Sequence, residues 1–392
     1  MTTNLCIETC YRSLNKHNEE LCGDRVQIAR SDDSTILVLS DGLGSGVKAN
    51  ILSTLTSKII STMIKNGASI EDTVETIAHT LPVCKERGLA YSTFMILSIT
   101  KDGDGYLVEY DNPPCVWLRE GKRIEFDYTE KSIQGKDIRE CHFKAEAGDK
   151  FIIVSDGVTQ AGMGKTLSFG WGWDALVTYL EEEETNYLTP PKLIYKILEM
   201  CKELYLGYPG DDTTVSVLHI MKPVKVALFS GPPKNKDDDK KIVQDYMNER
   251  GIHIVAGGSS AEILARELNK EIEVDLTYVK SEVPPTAKID GIDLVTEGVL
   301  TLKATLHIIK KYAKNPTDKE LLERLEQNDG ASLLSKILLE ECTTLNLYVG
   351  RAINPAHNNA DFPSDLRNKI YILDSIANSL RELGKEVKTY YY

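Results

Sequence analysis

The sequence predicts an α+β chain in two parts: a β-sandwich flanked by helices, then a doubly wound α/β domain. Two observations carry this. Across residues 1–221, short β-rich runs come in groups and helical stretches in pairs, the rhythm of stacked layers. Across residues 222–392, strands and helices alternate strictly, which implies a mainly parallel sheet with helices on its faces. The boundary falls at Met221-Lys222-Pro223, where one strand-like run ends and another opens at Val224.

In the first part, strands are expected over 26–29, 35–40, 93–99, 106–110, 115–119, 151–155 and 214–220. Turn-forming stretches such as Asp102-Gly103-Asp104-Gly105 and Glu120-Gly121-Lys122 separate several of them. A Gly-rich turn at 42–46 leads into helices over 47–66 and 69–86. Two more helices lie near 173–184 and 191–206. In the second part, strands are expected over 224–229, 252–256, 272–276, 292–295, 345–349 and 385–389. Helices fall between them near 237–250, 260–269, 298–314, 318–327, 331–341 and 365–383. The acidic runs at 181–184 and 237–239 read as solvated helix ends.

The chain has 392 residues, 42% apolar and 27% charged, a globular composition. Its net charge of −13, from 59 acids against 46 bases, disfavours nucleic acid and an anionic membrane surface as partners. No apolar run reaches the roughly 18–20 residues that span a bilayer. The first residues, Met1-Thr2-Thr3-Asn4-Leu5-Cys6, lack the basic start and apolar core of a signal peptide. Eight scattered cysteines in a chain this long read as reduced thiols in a cytoplasm. Cys6, Cys10 and Cys22 cluster, but their spacing fits no zinc or iron–sulfur pattern, so they read as buried thiols. The acidity is uneven: residues 1–220 hold 22 bases and 33 acids, net −11, and the remainder holds 24 and 26, net −2.

Four of those acids stand at strand ends. Apolar runs lead into Asp41-Gly42 and Asp156-Gly157, Gly210-Asp211-Asp212 precedes the strand at 214–220, and Gly23-Asp24 precedes the strand at 26–29. Any one of them, taken singly, is an ordinary solvated or capping carboxylate. Together they are harder to dismiss. Strands packed in one sandwich bring their ends together, and converging carboxylates repel unless a cation neutralises them. Hard divalent ions prefer carboxylate, carbonyl and water oxygens, so magnesium or manganese fits, and no zinc-type His/Cys cluster accompanies the acids. Glycine after Asp41 lets the backbone come close enough for a main-chain carbonyl to act as a ligand.

The order and spacing of three stretches resemble the metal-dependent protein phosphatases (protein phosphatase 2C-like), in the bacterial branch typified by stage II sporulation protein E. The stretches are Ser40-Asp41-Gly42-Leu43-Gly44-Ser45-Gly46, Gly148-Asp149-Lys150 with the strand running to Ser155-Asp156-Gly157-Val158, and Gly210-Asp211-Asp212-Thr213-Thr214. The resemblance spans about residues 5–220. It implies that Asp41 bridges two divalent cations, Mn2+ or Mg2+, and that the Gly42 carbonyl completes one shell. Asp156 and Asp211 would bind from the opposite side, Asp24 would hold the second ion directly or through water, and Asp212 would be a supporting group. Asp41, Asp156 and Asp211 are then the catalytic set for hydrolysis of phosphoserine and phosphothreonine by activated water. Leu43 stands where many relatives outside this branch carry a histidine, which leaves the leaving group to be protonated by water. Arg25 adjoins Asp24 and takes no safe role as the phosphate-gripping arginine of those relatives. The resemblance also implies that the helices at 47–66 and 69–86 act as a switch on the Asp41–Gly46 loop, with Gly44 and Gly46 permitting the change, and that the protein forms a homodimer.

In the second part, small residues follow the strand ends: Ser230-Gly231-Pro232-Pro233, Gly257-Gly258-Ser259-Ser260, Thr296-Glu297-Gly298 and Gly350-Arg351. Gly257, Gly258, Ser259 and Ser260 open a helix and suit a small anionic ligand. The other reading of that turn is structural, with Ser259 or Ser260 as the helix N-cap. A polar loop over 351–359 adds to the ligand reading. The expected protein is a serine/threonine phosphatase regulated through a ligand-binding α/β domain. A catalytically silent scaffold of the same fold and a phosphatase of a small metabolite are the rivals.

Overall fold

The computed structural model describes residues 4–80, 92–182, 185, 187–275, 285–352 and 363–392, the last with side chains from 369. The chain divides into two compact units, Met1–Lys222 and Pro223–Tyr392. No helix among the described residues is long and apolar enough to cross a membrane.

The first unit is a sandwich of two antiparallel sheets. One is formed by β2 (Asp24–Arg30), β3 (Ser34–Gly42), β4 (Ser92–Thr100), β5 (Asp104–Tyr110), β9 (Lys136–Lys144) and β8 (Thr129–Ile133), in that spatial order. The other orders β1 (Cys6–Leu14), β11 (Thr213–Met221), β10 (Lys150–Val154), β6 (Val116–Arg119) and β7 (Lys122–Ile124). Strand side chains alternate between faces, and here both faces of the central strands are covered. Leu37 and Leu39 of β3 meet Phe151, Ile153 and Leu218 between the sheets. Ile36 and Val38 face outward onto α1 (Gly46–Lys65) and α2 (Ile70–Thr80) through Ile60, Val74 and Ile77. On the other side, Ile152 and Val217 pack on α4 (Trp173–Leu180) and α5 (Pro190–Leu204), reached after the single turn α3 (Asp156–Thr159). Burial on both faces is why these strands read as continuous apolar runs.

Each strand expected in the first part is present. Missing from that expectation were β1, β7, β8 and β9, whose charged or half-exposed residues hide the pattern. The expected helix over 69–86 is described only to Thr80, and Glu183 and Glu184 also lie outside the described residues. Helix α1 departs from ordinary amphipathicity. It buries Ala49, Ser53, Thr56 and Ser57 against the sheet, the serines donating to carbonyls one turn back, and leaves Val47, Ile51 and Leu55 about half exposed.

The second unit has a parallel sheet ordered β16 (Leu294–Thr296), β13 (Ile252–Ala256), β12 (Lys225–Ser230), β17 (Thr344–Val349), β18 (Glu386–Tyr391). Helices α6 (Asp239–Met247) and α7 (Gly258–Leu268) cover one face through Phe229, Ile242 and Leu264. Helices α8 (Val299–Lys314), α9 (Lys319–Leu325), α10 (Gly330–Lys336) and α11 (Pro363–Glu382) lie on the other side, where Leu302, Leu325, Leu334 and Ile376 join Leu228 and Leu345. Two expectations are corrected. The stretch near 272–276 contributes only β14 (Glu273–Val274), which is exposed and pairs antiparallel with β15 (Ala287–Lys288). Asp239 is no solvated helix end, because it is buried and accepts a hydrogen bond from Arg266 at 2.5 Å.

Candidate active site

Register places the first pair of acids. Antiparallel pairing sets Asp24 of β2 opposite Asp41 of β3. Residues facing each other this way hold their Cβ atoms about 4.5–5.5 Å apart, and like charges there are destabilising. Asp156 comes from the neighbouring sheet. It does not end a strand as the sequence implied, but begins the turn α3, where a carboxylate sits well against free helix N–H groups. Asp211 and Asp212 precede β11.

The glycines show why these loops lie so close. A Cβ on Gly42 would stand 2.2 Å from the Ala49 carbonyl oxygen, and one on Gly157 would stand 2.0 Å from the Asp212 carbonyl oxygen. The backbone of α1 is thus pressed onto the Asp41 loop, and the Asp211–Asp212 loop onto α3.

Asp41, Gly42, Asp156 and Asp211 line one cavity of about 880 Å³. Burial, together with the charges of Asp24, Asp156 and Asp211, pushes the Asp41 carboxyl up to about 9. Asp156 is also raised, by burial and by Asp211, although Gln160 donates to its Oδ2 at 2.8 Å. Asp24 is absent from the cavity lining and is 4% exposed. Burial pushes it up to about 7, and neither of its carboxylate oxygens has a hydrogen-bond partner of ordinary geometry.

Asp212 is anchored by one oxygen: its Oδ1 accepts the backbone N–H of Lys16 at 3.0 Å, while its buried Oδ2 has no partner of ordinary geometry and its charge helps to raise Asp24. That clamp brings in a residue that sequence reasoning missed. Lys16 lines the cavity, its ammonium 3.6 Å from Asp211. Gln160 was missed as well. Only its position one turn after Asp156 could have signalled it. Arg25 is exposed, on the opposite side of the strand from buried Asp24, and does not line the cavity. Leu43 does line it. Of the clustered cysteines, Cys10 is buried, Cys6 and Cys22 are partly so, and none of the three forms a disulfide.

The donor set is all oxygen and anionic, and buried oxygens of Asp24 and Asp212 have no hydrogen-bond partner of ordinary geometry, which suits a hard divalent cation. Among the described residues no three His, Cys, Asp or Glu side chains stand in metal-holding geometry. The carboxylates are neighbours in charge, not a closed shell. Residues 31–221 match the family model of stage II sporulation protein E (SpoIIE).

Residues 31–221 are a SpoIIE-family, protein phosphatase 2C-like phosphatase domain.

The match to the SpoIIE model contains Asp41, Asp156 and Asp211 and begins after Asp24 and Lys16. The chain is similar to the phosphatase domain of the cell fate determinant SpoIIE from Bacillus subtilis, at 20% identity and a TM-score of 0.44, covering 56% of this chain and 94% of that one. It is similar to RsbX in complex with magnesium, at 20% identity and a TM-score of 0.39, covering 55% and 95%. A serine/threonine phosphatase of S. agalactiae is similar at 15% identity and a TM-score of 0.39, covering 55% and 99%. Comparison with curated proteins returns no match.

In the second unit, the two readings of the turn at 257–260 take a different form. The N-cap of α7 is Gly257, at φ +129, with no side-chain cap. Ser260 does not cap. Its Oγ accepts the backbone N–H of Gly231 at 2.7 Å and so joins the ends of β12 and β13. The expected polar loop at 351–359 lies outside the described residues beyond Ala352.

Proposed function

We propose that the first unit hydrolyses phosphoserine and phosphothreonine in a protein substrate. The observation that carries this reading is the group of half-buried, mutually repelling carboxylates, Asp41, Asp156 and Asp211, on the wall of an open cavity, within the span that matches SpoIIE. Asp41, Asp156, Asp211 and Asp24, with the Gly42 carbonyl, would hold two Mn2+ or Mg2+ ions. When bound, such ions supply the Lewis acidity that activates water and offsets charge on phosphoryl oxygens.

The remaining work falls to the chain's own residues. Lys16 offers the cavity an ammonium for a phosphoryl oxygen, and the hold of Asp212 on the Lys16 backbone fixes where that ammonium sits. Gln160 orients Asp156. Leu43 has no proton to give, so the departing alkoxide takes its proton from solvent.

The second unit, in this proposal, binds a small anion and regulates the first. A homodimer and a cytoplasmic setting complete the reading. The test is manganese-dependent hydrolysis of p-nitrophenyl phosphate by the wild type, Asp41→Ala and Asp156→Ala. The proposal expects the rate to collapse in both variants. Equal rates in all three would overturn it.

A further inference from the structure

The second unit has the strand order 3-2-1-4-5 of a doubly wound sheet, with β12 as strand 1 and β17 as strand 4. In such sheets ligands sit beyond the carboxyl ends of the strands where the order reverses, here between β12 and β17. Glycines occupy those ends. A Cβ on Gly350 would stand 2.2 Å from the Gly231 carbonyl oxygen, and one on Gly298 would lie 3.4 Å from the Gly257 Cα.

Into this cradle comes one cation, from α11. The Lys369 ammonium lies 3.4 Å from where a Gly231 Cβ would be, and 3.6 Å from the same point at Gly257. It makes no hydrogen bond or ion pair with the described residues. Burial pushes it down to about 8, and the one charge acting against that fall is Glu297. Glu297 is itself short of partners, with a buried Oε2 that receives no hydrogen bond. Among the described residues, the half-buried Lys369 ammonium and the buried Glu297 oxygen thus interact through charge, yet neither has a hydrogen-bond partner. Leaving either group unpaired is costly, so the arrangement suits a ligand that meets both. The first turn of α7, from Gly258, adds N–H groups that have no partner inside the helix.

We propose that this cradle binds a phosphate ester of a small hydroxyl-bearing molecule, the chemistry shared by sugar phosphates and nucleotides. The phosphate lies on Lys369 and the N-terminus of α7, and a ligand hydroxyl donates to Glu297. Small residues allow the close backbone approach that a phosphate needs. Glu297 disfavours a bare anion and asks for a donor on the same molecule. The inference rests on the reading that the second unit binds a small anion, and it names the class and the residues.

The test uses the full chain carrying Asp41→Ala, free of divalent cations, so that the first unit does not compete for phosphate. Calorimetry is run with ribose 5-phosphate, ADP, inorganic phosphate and citrate. Binding of either ester is expected, weakened about tenfold or more by Lys369→Met, a loss of about 1.4 kcal/mol. Glu297→Gln is expected to weaken the esters and to leave inorganic phosphate unaffected or tighter. Thermal unfolding of each variant shows that it is folded. Ester binding unchanged by both substitutions would overturn the site. Citrate binding without ester binding would overturn the phosphate class and keep the anion reading. No binding by any of the four at millimolar concentration would overturn both.

Discussion

Asp24 and Asp41 face each other directly across the β2–β3 pair, one sealed from solvent and the other on the cavity wall. Two carboxylates in register repel, and burial adds to the cost. Burial first, and then the charges of the neighbouring aspartates, set the metal-free chain's response to pH. Asp24 is pushed up to about 7 and Asp41 to about 9, from 3.8 in both cases. Above about pH 4 the unfolded chain has released protons that the folded chain keeps. Stability is therefore fully present below that pH and falls as pH rises through 7 and 9. Thermal unfolding without metal should show this decline. Manganese should reverse it, with a gain that grows with pH. A melting temperature flat across this range in the absence of metal would contradict the placement of these acids.

Lys16 gives a second prediction. If its ammonium meets a phosphoryl oxygen, Lys16→Ala should lower kcat/KM by roughly 10- to 100-fold, the worth of one charge-assisted hydrogen bond. Manganese affinity should not fall, because removing a cation beside Asp211 leaves that carboxylate freer. Steady-state kinetics across a manganese series separate the two effects.

Gly157 tests how the loops are pressed together. A methyl group there meets the Asp212 carbonyl oxygen at 2.0 Å, so Gly157→Ala must move the backbone of one loop. The expected cost is about 1–3 kcal/mol of stability, as for other overpacked sites. Activity should fall further than that loss of folded protein explains. Denaturant unfolding and phosphatase rate, measured on the same preparation, check both.

Lys369 supplies a pH prediction of opposite sign. Its pKa falls from 10.5 to about 8 in the folded chain, so the unfolded chain binds the extra proton between those values. The charge therefore destabilises the ligand-free fold below about pH 8, and the penalty fades as pH rises toward 10.5. Lys369→Met should raise the melting temperature at pH 7, and its advantage should shrink at pH 10.

The acid loops were legible because their chemistry is local: an apolar strand, an aspartate, a glycine. The strands that carry them were legible because both faces are buried, so Ile36 to Leu39 all had to be apolar. Other features were set by distant parts of the chain. Strand β9 reads Lys-Asp-Ile-Arg-Glu-Cys-His-Phe-Lys, and only its pairing with β5 and β8 makes a strand of it. Lys16 enters the cavity because Asp212, far along the chain, holds its backbone. Ser260 reads as a cap until the end of β12 arrives beside it and claims its hydroxyl. Sequence periodicity also missed the outward apolar row of α1, since what the helix buries there is largely serine and threonine.

The central claim is that Asp24, Asp41, Asp156 and Asp211 together hold two divalent cations. Titration of the metal-free chain with Mn2+, followed by electron paramagnetic resonance, counts the ions directly. The account predicts two bound ions per chain in the wild type and at most one in Asp41→Asn. A wild-type chain that binds none, or an Asp41→Asn chain that binds two as tightly as the wild type, would contradict it.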